Sequence, residues 1–74
     1  MTIKKLIKKY PVLEGLVSYV NRVNNLLQHG IIKGVTETRK SEMYEDFKTK
    51  ISCIGLEPSE YEFCIRWFCD TMAY

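Results

Sequence analysis

Few residues in this sequence are of the types that perform catalysis, and none is spaced for it. Among the 74 residues there is one histidine, His29, with no nucleophile or carboxylate at a suitable spacing. Enzymes need a nucleophile beside a base, paired carboxylates in a pocket, or a glycine-rich phosphate loop. Gly30 and Gly34 are too few for such a loop. We therefore expect a non-enzymatic protein in which His29 has a structural role at a helix end.

The three cysteines, Cys53, Cys64 and Cys69, match neither a metal site nor a disulfide framework. Zinc sites use closely spaced CxxC or CxH pairs, and a framework needs an even number of cysteines. Cys64 and Cys69 lie five positions apart, so on one helix they point about 140° away from each other. The sequence predicts reduced thiols serving as small core residues, no metal or cofactor, and a cytoplasmic location. An exposed, reactive Cys69 stays open as an alternative.

Residues suited to molecular recognition concentrate in the last predicted helix, which begins near Pro58. Its inward face is one apolar stripe, formed by Tyr61, Cys64, Ile65, Phe68 and Met72. A second stripe, Phe63, Trp67 and Tyr74, lies on another side of the same helix. Three aromatic side chains left in water would forgo up to ~10 kcal/mol of burial at ~25 cal/mol per Å². Something must therefore cover them.

Two explanations for the second stripe stay open. Other helices could cover both stripes of a central last helix. Alternatively, the second stripe and the neighbouring Arg66 form an interface for a larger partner protein or a second copy of the chain. Trp, Tyr and Arg are the residue types that concentrate binding energy at interfaces. The interface hypothesis predicts that the stripe is more accessible than Phe68 and Ile65.

A basic helix is predicted in residues 2–10. Four lysines lie opposite its apolar side, namely Lys4, Lys5, Lys8 and Lys9. They could contact nucleic-acid phosphates or an anionic membrane surface, or they form a solvated helix face that contributes little to folding. No arginine or aromatic residue is interleaved among them, which favours the solvated face.

Charge and composition are both uneven. Residues 1–40 carry eight Lys or Arg against two Glu, whereas residues 41–74 carry three Lys or Arg against seven Asp or Glu. The net charge of +2 therefore conceals halves of +6 and −4.

The composition is biased towards six residue types. Ile, Lys, Phe, Tyr, Met and Asn supply 29 residues, but Gly, Ala, Arg and Pro only 10. AT-rich coding produces this bias, which is typical of small phage and mobile-element proteins and of AT-rich bacteria.

Proline and glycine mark the first helix boundaries. Pro11 disfavours helical geometry at Tyr10, so it ends the first helix and starts a second one over residues 11–29. Gly30 would cap that second helix. The segment 31–38 is ambiguous between an extended connection and a short helix.

A third helix is predicted from Lys40 to Ile54. Ser41 is a candidate cap near its start, and Gly55 follows its end. No apolar stretch reaches the length of a signal peptide or a membrane span.

The apolar periodicity predicts one core. Its members are Leu13, Leu16, Val20, Val23, Leu27, Phe47, Ile51, Ile54, Tyr61, Ile65 and Phe68. Val12, Tyr19 and Leu26 widen the apolar face of the second helix. We therefore expect an all-α fold: residues 1–74 form a single small compact bundle of three main helices plus a short amphipathic N-terminal helix.

The expected function is protein binding. We expect a regulator or inhibitor that docks through its C-terminal helix, with a phage-type antagonist of host machinery as one concrete form. The alternative is a small nucleic-acid-binding protein that uses the N-terminal lysines.

Overall fold

Four α-helices, in the expected order, make up the described part of this computed structural model. They are α1 (Ile3–Lys9), α2 (Leu13–Gln28), α3 (Glu37–Ser52) and α4 (Pro58–Met72). The structure describes residues 1–29 and 37–74, and no β-strand occurs within them. The predicted all-α bundle, with a short N-terminal helix, is confirmed. The Gly30 cap and most of the segment 31–38 lie outside the described residues.

The break between α1 and α2 follows from Pro11. Thr2 caps the start of α1, because its side-chain oxygen accepts a hydrogen bond from the Lys5 backbone N–H at 3.2 Å. A turn follows Pro11, in which the Leu13 N–H donates to the Tyr10 carbonyl at 2.9 Å. The turn occupies the first positions after Tyr10, so α2 begins at Leu13, two residues later than predicted.

The start of α3 differs from the prediction. The helix begins at Glu37 instead of Lys40, since Glu, Arg and Lys are good helix formers and extend it before its apolar periodicity starts. Ser41 therefore lies inside α3 and does not cap it. The Ser41 hydroxyl lies instead 2.7 Å from the Tyr74 hydroxyl, in hydrogen-bond contact.

A tight turn joins α3 to α4. Gly55 has φ +87°, in the left-handed region that glycine adopts without strain, as its position after the helix predicts. Glu57 caps α4 with extended backbone, and the Glu60 carboxylate accepts a hydrogen bond from the Glu57 N–H at 2.9 Å. Pro58 occupies the first turn of α4, as predicted.

α4 is the central helix, since α1, α2 and α3 all pack against it. Five predicted core residues are buried: Leu13, Val20, Phe47, Ile51 and Phe68. Five others are half-buried at the core's margin: Leu16, Val23, Ile54, Tyr61 and Ile65. The side chain of Leu27 lies outside those that the structure describes. Leu6, Val17, Cys64 and Met72 are also buried.

One edge of α2 is less covered than predicted. Val12 and Tyr19, expected to widen the apolar face, are 63 % and 51 % exposed. Both α2 and α3 pack on α4, and within the described residues they pack on it more closely than on each other. This arrangement buries Leu13, Val17 and Val20 but leaves the neighbouring edge of α2 open.

Candidate functional site

The second stripe predicted for α4 is partly covered. We call Phe63, Trp67 and Tyr74 the aromatic strip. The Trp67 ring lies 6.1 Å from the Phe47 ring of α3, and the Tyr74 ring lies 5.3 Å from Tyr44. Phe63 and Trp67 are half-buried, whereas Tyr74 remains 45 % exposed. Trp67 and Tyr74 thus contact α3, while Phe63 and Trp67 also pack against the buried core. Tyr74 is the most accessible of the three.

The accessibility of the strip agrees with one half of the prediction. Phe68 is fully buried, so the strip is more accessible than that residue. Ile65 is half-buried, in the same class as Phe63 and Trp67, so the predicted contrast with Ile65 is absent. Because α4 is central, α2 and α3 share its apolar surface, and neither stripe is completely buried along its length.

The C-terminal end of the strip is held in place by several contacts. Ala73 caps α4 in the left-handed conformation, with φ 55°. The Tyr74 N–H donates to the Cys69 carbonyl at 3.0 Å, and the Tyr74 hydroxyl contacts Ser41 at 2.7 Å. These bonds and the Tyr44 contact hold Tyr74 against α3, although the residue as a whole remains 45 % exposed.

The N-terminal end of the strip borders a shallow cleft. Phe63 and the exposed Arg66 line it together with Met1, which is 60 % exposed. The cleft has a volume of about 350 Å³. The structure therefore brings Phe63 and Arg66 together. Tyr74 lies beyond the end of α4 at Met72, so it is not on the helix face where the sequence predicted it.

Glu60 is the one buried charged residue among the described positions, at 5 % exposure. Its carboxylate accepts three hydrogen bonds: from the Lys9 ammonium at 2.9 Å, the Tyr10 hydroxyl at 2.8 Å and the Glu57 N–H at 2.9 Å. The Lys9 hydrogen bond, followed by those of Glu57 and Tyr10, lowers the pKa of Glu60 to about 2. The sequence did not single out Glu60, which lies in the first turn of the last helix. The Glu57-x-x-Glu60 spacing was the available signal.

The four N-terminal lysines are not equivalent. Lys4, Lys5 and Lys8 are exposed, as expected for a solvated face. Lys9 instead forms an ion pair with Glu60, and the hydrogen bond in that pair raises the pKa of Lys9. The Lys9 side chain is itself 58 % exposed, but its partner carboxylate is buried. That all four lysines contribute little to folding stays a prediction, and the contact between α1 and α4 makes Lys9 the residue at which to test it.

The cysteines occupy three different environments. Cys64 is fully buried, and that burial raises the pKa of its thiol. Cys69 is half-buried. Cys53 is exposed beyond the end of α3, with its thiol 3.5 Å from the Thr49 carbonyl. The prediction of core thiols is correct for Cys64 and wrong for Cys53, because the helix ends before the turn that holds Cys53.

His29 lies directly after α2. Its Nδ1 atom is 2.8 Å from the Asn25 carbonyl, which suits a helix-terminal residue. Within residues 1–29 and 37–74, no group of three or more His, Cys, Asp and Glu side chains could hold a metal ion.

Sequence reasoning missed an open apolar groove between the start of α2 and the end of α3. We call it the Gly15 groove, and its volume is about 680 Å³. Its lining residues are Lys9, Tyr10, Pro11, Val12, Gly15, Leu16, Lys50, Cys53 and Ile54. An amphipathic pattern identifies the apolar face of a helix but not which other helices cover that face. The exposure of Val12, which opens this groove, could therefore not be predicted from the pattern.

A smaller cleft follows further along the same two helices. We call it the Tyr19 cleft; it has a volume of about 240 Å³ and is lined by Tyr19, Arg39, Glu42, Met43 and Asp46.

None of the helices in the described ranges is long and apolar enough to cross a bilayer. Comparisons with protein-family models, curated proteins and solved structures find no match for this chain.

Proposed function

We propose that this protein is a non-enzymatic binding protein that docks on a larger protein through the aromatic strip and Arg66. The observation that carries the proposal is a row of aromatic side chains that is supported on one side and accessible on the other. Tyr74 is 45 % exposed, and Arg66 is exposed beside the half-buried Phe63. Trp, Tyr and Arg in such positions contribute a large share of interface energy.

Rigid support of the strip favours tight binding. The Trp67 and Tyr74 rings pack against Phe47 and Tyr44 of α3, and Tyr74 also contacts Ser41 through its hydroxyl. Side chains that are already ordered lose less conformational entropy when a partner binds. The strip therefore needs little rearrangement to act as an anchor.

The size of the surface favours a larger partner. A standard interface buries about 800 Å² on each partner, roughly one sixth of the 5079 Å² surface of this protein. Phe63 and Trp67 lie one turn apart on α4, Tyr74 follows the end of the helix, and Met1 prolongs the apolar surface next to Phe63. A partner groove that accepts one face of a helix has the matching dimensions.

The role that we propose is regulation or inhibition of that partner. The protein would act by occupying a surface, since binding needs no catalytic group. One specific form of this role is an antagonist of host machinery made by a phage or mobile element. The composition fits such a source and fits an AT-rich bacterium equally well, so it bears on the source of the protein and not on its function.

An affinity capture from the native host, followed by mass spectrometry, tests the proposal when three variants are compared. A partner retained by the wild type should be lost with Arg66→Glu and with Trp67→Ala. It should be retained by the triple Lys4→Gln, Lys5→Gln, Lys8→Gln variant. Arg66 is exposed, so Arg66→Glu changes the surface without disturbing the core.

The opposite pattern would support the alternative function. Capture of nucleic acid by the wild type at physiological salt, lost in the triple lysine variant and kept in Arg66→Glu, would contradict docking through the aromatic strip. Phosphate contacts weaken steeply with salt, whereas an aromatic interface does not, so a salt titration separates the two results.

A further inference from the structure

The outer side of α1 is a compact patch of positive charge. Lys4, Lys5 and Lys8 are all exposed, and we call these three residues the lysine face. Within the described part of the chain, none of the three side chains forms an ion pair or a hydrogen bond. Lys9 is not part of the face, because its ammonium binds the buried Glu60 carboxylate. The other three charges are therefore available to a ligand outside the chain.

The fold holds the lysine face outward. Leu6 is 3 % exposed, and Ile3 and Ile7 pack against the core, so the apolar side of α1 faces inward. Lys4 and Lys8 are on the opposite side, one turn or about 6 Å apart along the axis. Like charges at this spacing destabilise a helix slightly, and no contact within the described residues offsets the effect.

No acidic residue of α1 balances this charge. Residues 1–13 carry four lysines and neither Asp nor Glu. The charged residues of α4 that line the cleft beside Met1 are Glu62 and Arg66, whose charges are opposite and cancel. After the pairing of Lys9, this end of the molecule keeps three cations. Charge complementarity therefore identifies an anionic partner.

The residue types favour a lipid surface over a nucleic acid. Nucleic-acid-binding proteins add arginines that read bases or aromatic rings that stack on them, and α1 contains neither. Attraction to anionic lipids needs only lysines close to the surface, because mobile headgroups adjust to the positions of the charges. Met1, just before α1, is 60 % exposed and adds an apolar side chain of the kind that enters the headgroup region.

We infer that the lysine face binds anionic membrane surfaces, with α1 parallel to the bilayer and still packed on α2 and α4. Because the apolar side of α1 stays buried in the protein, the contact is electrostatic and reversible. Each lysine near such a surface strengthens binding about fivefold, so the three together should give about a hundredfold preference for anionic over neutral vesicles. This contact does not require the aromatic strip, so it forms whether or not a protein partner binds there.

Vesicle co-sedimentation tests the contact. Phosphatidylcholine vesicles with about 30 mol % phosphatidylserine should bind the wild type at low ionic strength, and pure phosphatidylcholine vesicles should not. Binding should weaken severalfold as salt rises to about 0.15 M. Binding should fall about a hundredfold in the triple variant Lys4→Gln, Lys5→Gln, Lys8→Gln. A matched control removes the same charge from α3 and should bind nearly as the wild type does, namely Lys40→Gln, Lys48→Gln, Lys50→Gln.

The reactivity of the lysine amines gives a second readout. Anionic vesicles should slow acetylation of Lys4, Lys5 and Lys8 severalfold, as measured by peptide mass spectrometry, and leave that of Lys50 unchanged. Circular dichroism of each variant checks that the helices are retained.

Three results would each overturn the inference. The first is a wild type that does not bind anionic vesicles at low ionic strength. The second is an equal loss of binding in the two triple variants, which would show that net charge and not the lysine face is responsible. The third is a wild type that binds duplex DNA at about 0.15 M salt but does not bind the anionic vesicles.

Discussion

The Lys9 ammonium and the Glu60 carboxylate lie 2.9 Å apart, although 51 positions separate them along the chain. Tyr10, the next residue after Lys9, donates to the same carboxylate through its hydroxyl at 2.8 Å. The short helix α1 has seven residues, too few to be stable alone in water. Its position therefore depends on these two polar contacts, on burial of Leu6, and on packing of Ile3 and Ile7 against the core.

The low pKa of Glu60 predicts a specific loss of stability in acid. The folded-state pKa is about 2, lowered from 4.5, so the carboxylate stabilises the fold fully above 4.5 and progressively less as pH falls towards 2. Urea denaturation of the wild type should show this loss, and Glu60→Gln should lack that part of the pH dependence. Glu62→Gln, which alters an exposed residue of the same helix, should behave as the wild type does.

The Lys9 contact predicts unequal effects of the N-terminal lysines on stability. Lys9→Gln should lower the melting temperature, whereas Lys5→Gln, one turn earlier on α1, should leave it nearly unchanged. In a Glu60→Gln background the effect of Lys9→Gln should largely disappear, since the partner charge is absent. Thermal unfolding of the four variants measures this coupling. Equal effects of the two lysine substitutions would contradict the assigned ion pair.

The two stripes of α4 should differ in their importance for folding. Phe68→Ala removes a fully buried ring and should cost about 3–5 kcal/mol, comparable to the whole stability of so small a domain. Trp67→Ala removes a half-buried ring that packs at a tilt against Phe47, so it should cost clearly less and leave the protein folded. Equilibrium denaturation measures both. A Trp67→Ala variant as unstable as Phe68→Ala would show that the strip is part of the core.

The cysteines should separate by reactivity and by tolerance to substitution. Cys53 should react with iodoacetamide in the native state, while Cys64 should react only on unfolding because it is fully buried. Cys53→Ser should change stability by less than about 0.5 kcal/mol. Cys64→Ser places a hydroxyl in an apolar site and should cost about 1–3 kcal/mol. Peptide mass spectrometry and thermal unfolding test these values, and a native disulfide or bound zinc would contradict them.

Two glycines should respond in opposite ways to the same change. Gly15→Ala should stabilise the folded chain by about 0.5–1 kcal/mol, since the new methyl group meets open space inside a helix. Gly55→Ala should destabilise it, because φ +87° is strained for any residue with a Cβ atom. Urea denaturation of both variants measures the two effects.

Local features of the fold followed from the sequence. The helix break before Pro11, the left-handed Gly55 and the start of α4 at Pro58 each depend on the backbone preference of one or two residues. The apolar spacing also gave the correct inward side of each helix, because a helix must bury its apolar face. Such signals are local, so one sequence is sufficient to find them.

Features that depend on how helices meet could not be obtained in this way. The spacing that places Val12 and Tyr19 on an apolar face does not say that α3 packs on α4 and leaves that edge open. Likewise, Lys9 is indistinguishable from Lys5 until α1 is placed against Glu60. The role of the aromatic strip as an interface stays a prediction, since its outer side is defined only by what binds there.

The three hydrogen bonds to Glu60 also link local unfolding of α1 to local unfolding of the first turn of α4. The same carboxylate caps the first turn of α4 and holds α1, so detachment of α1 removes two of its three donors at once. The helix start at Glu57 then keeps a carboxylate that has lost its counter-charge. Amide protons in α1 and in the first turn of α4 should consequently exchange with deuterium at matched rates, as one locally unfolding unit, ahead of the middle of α4.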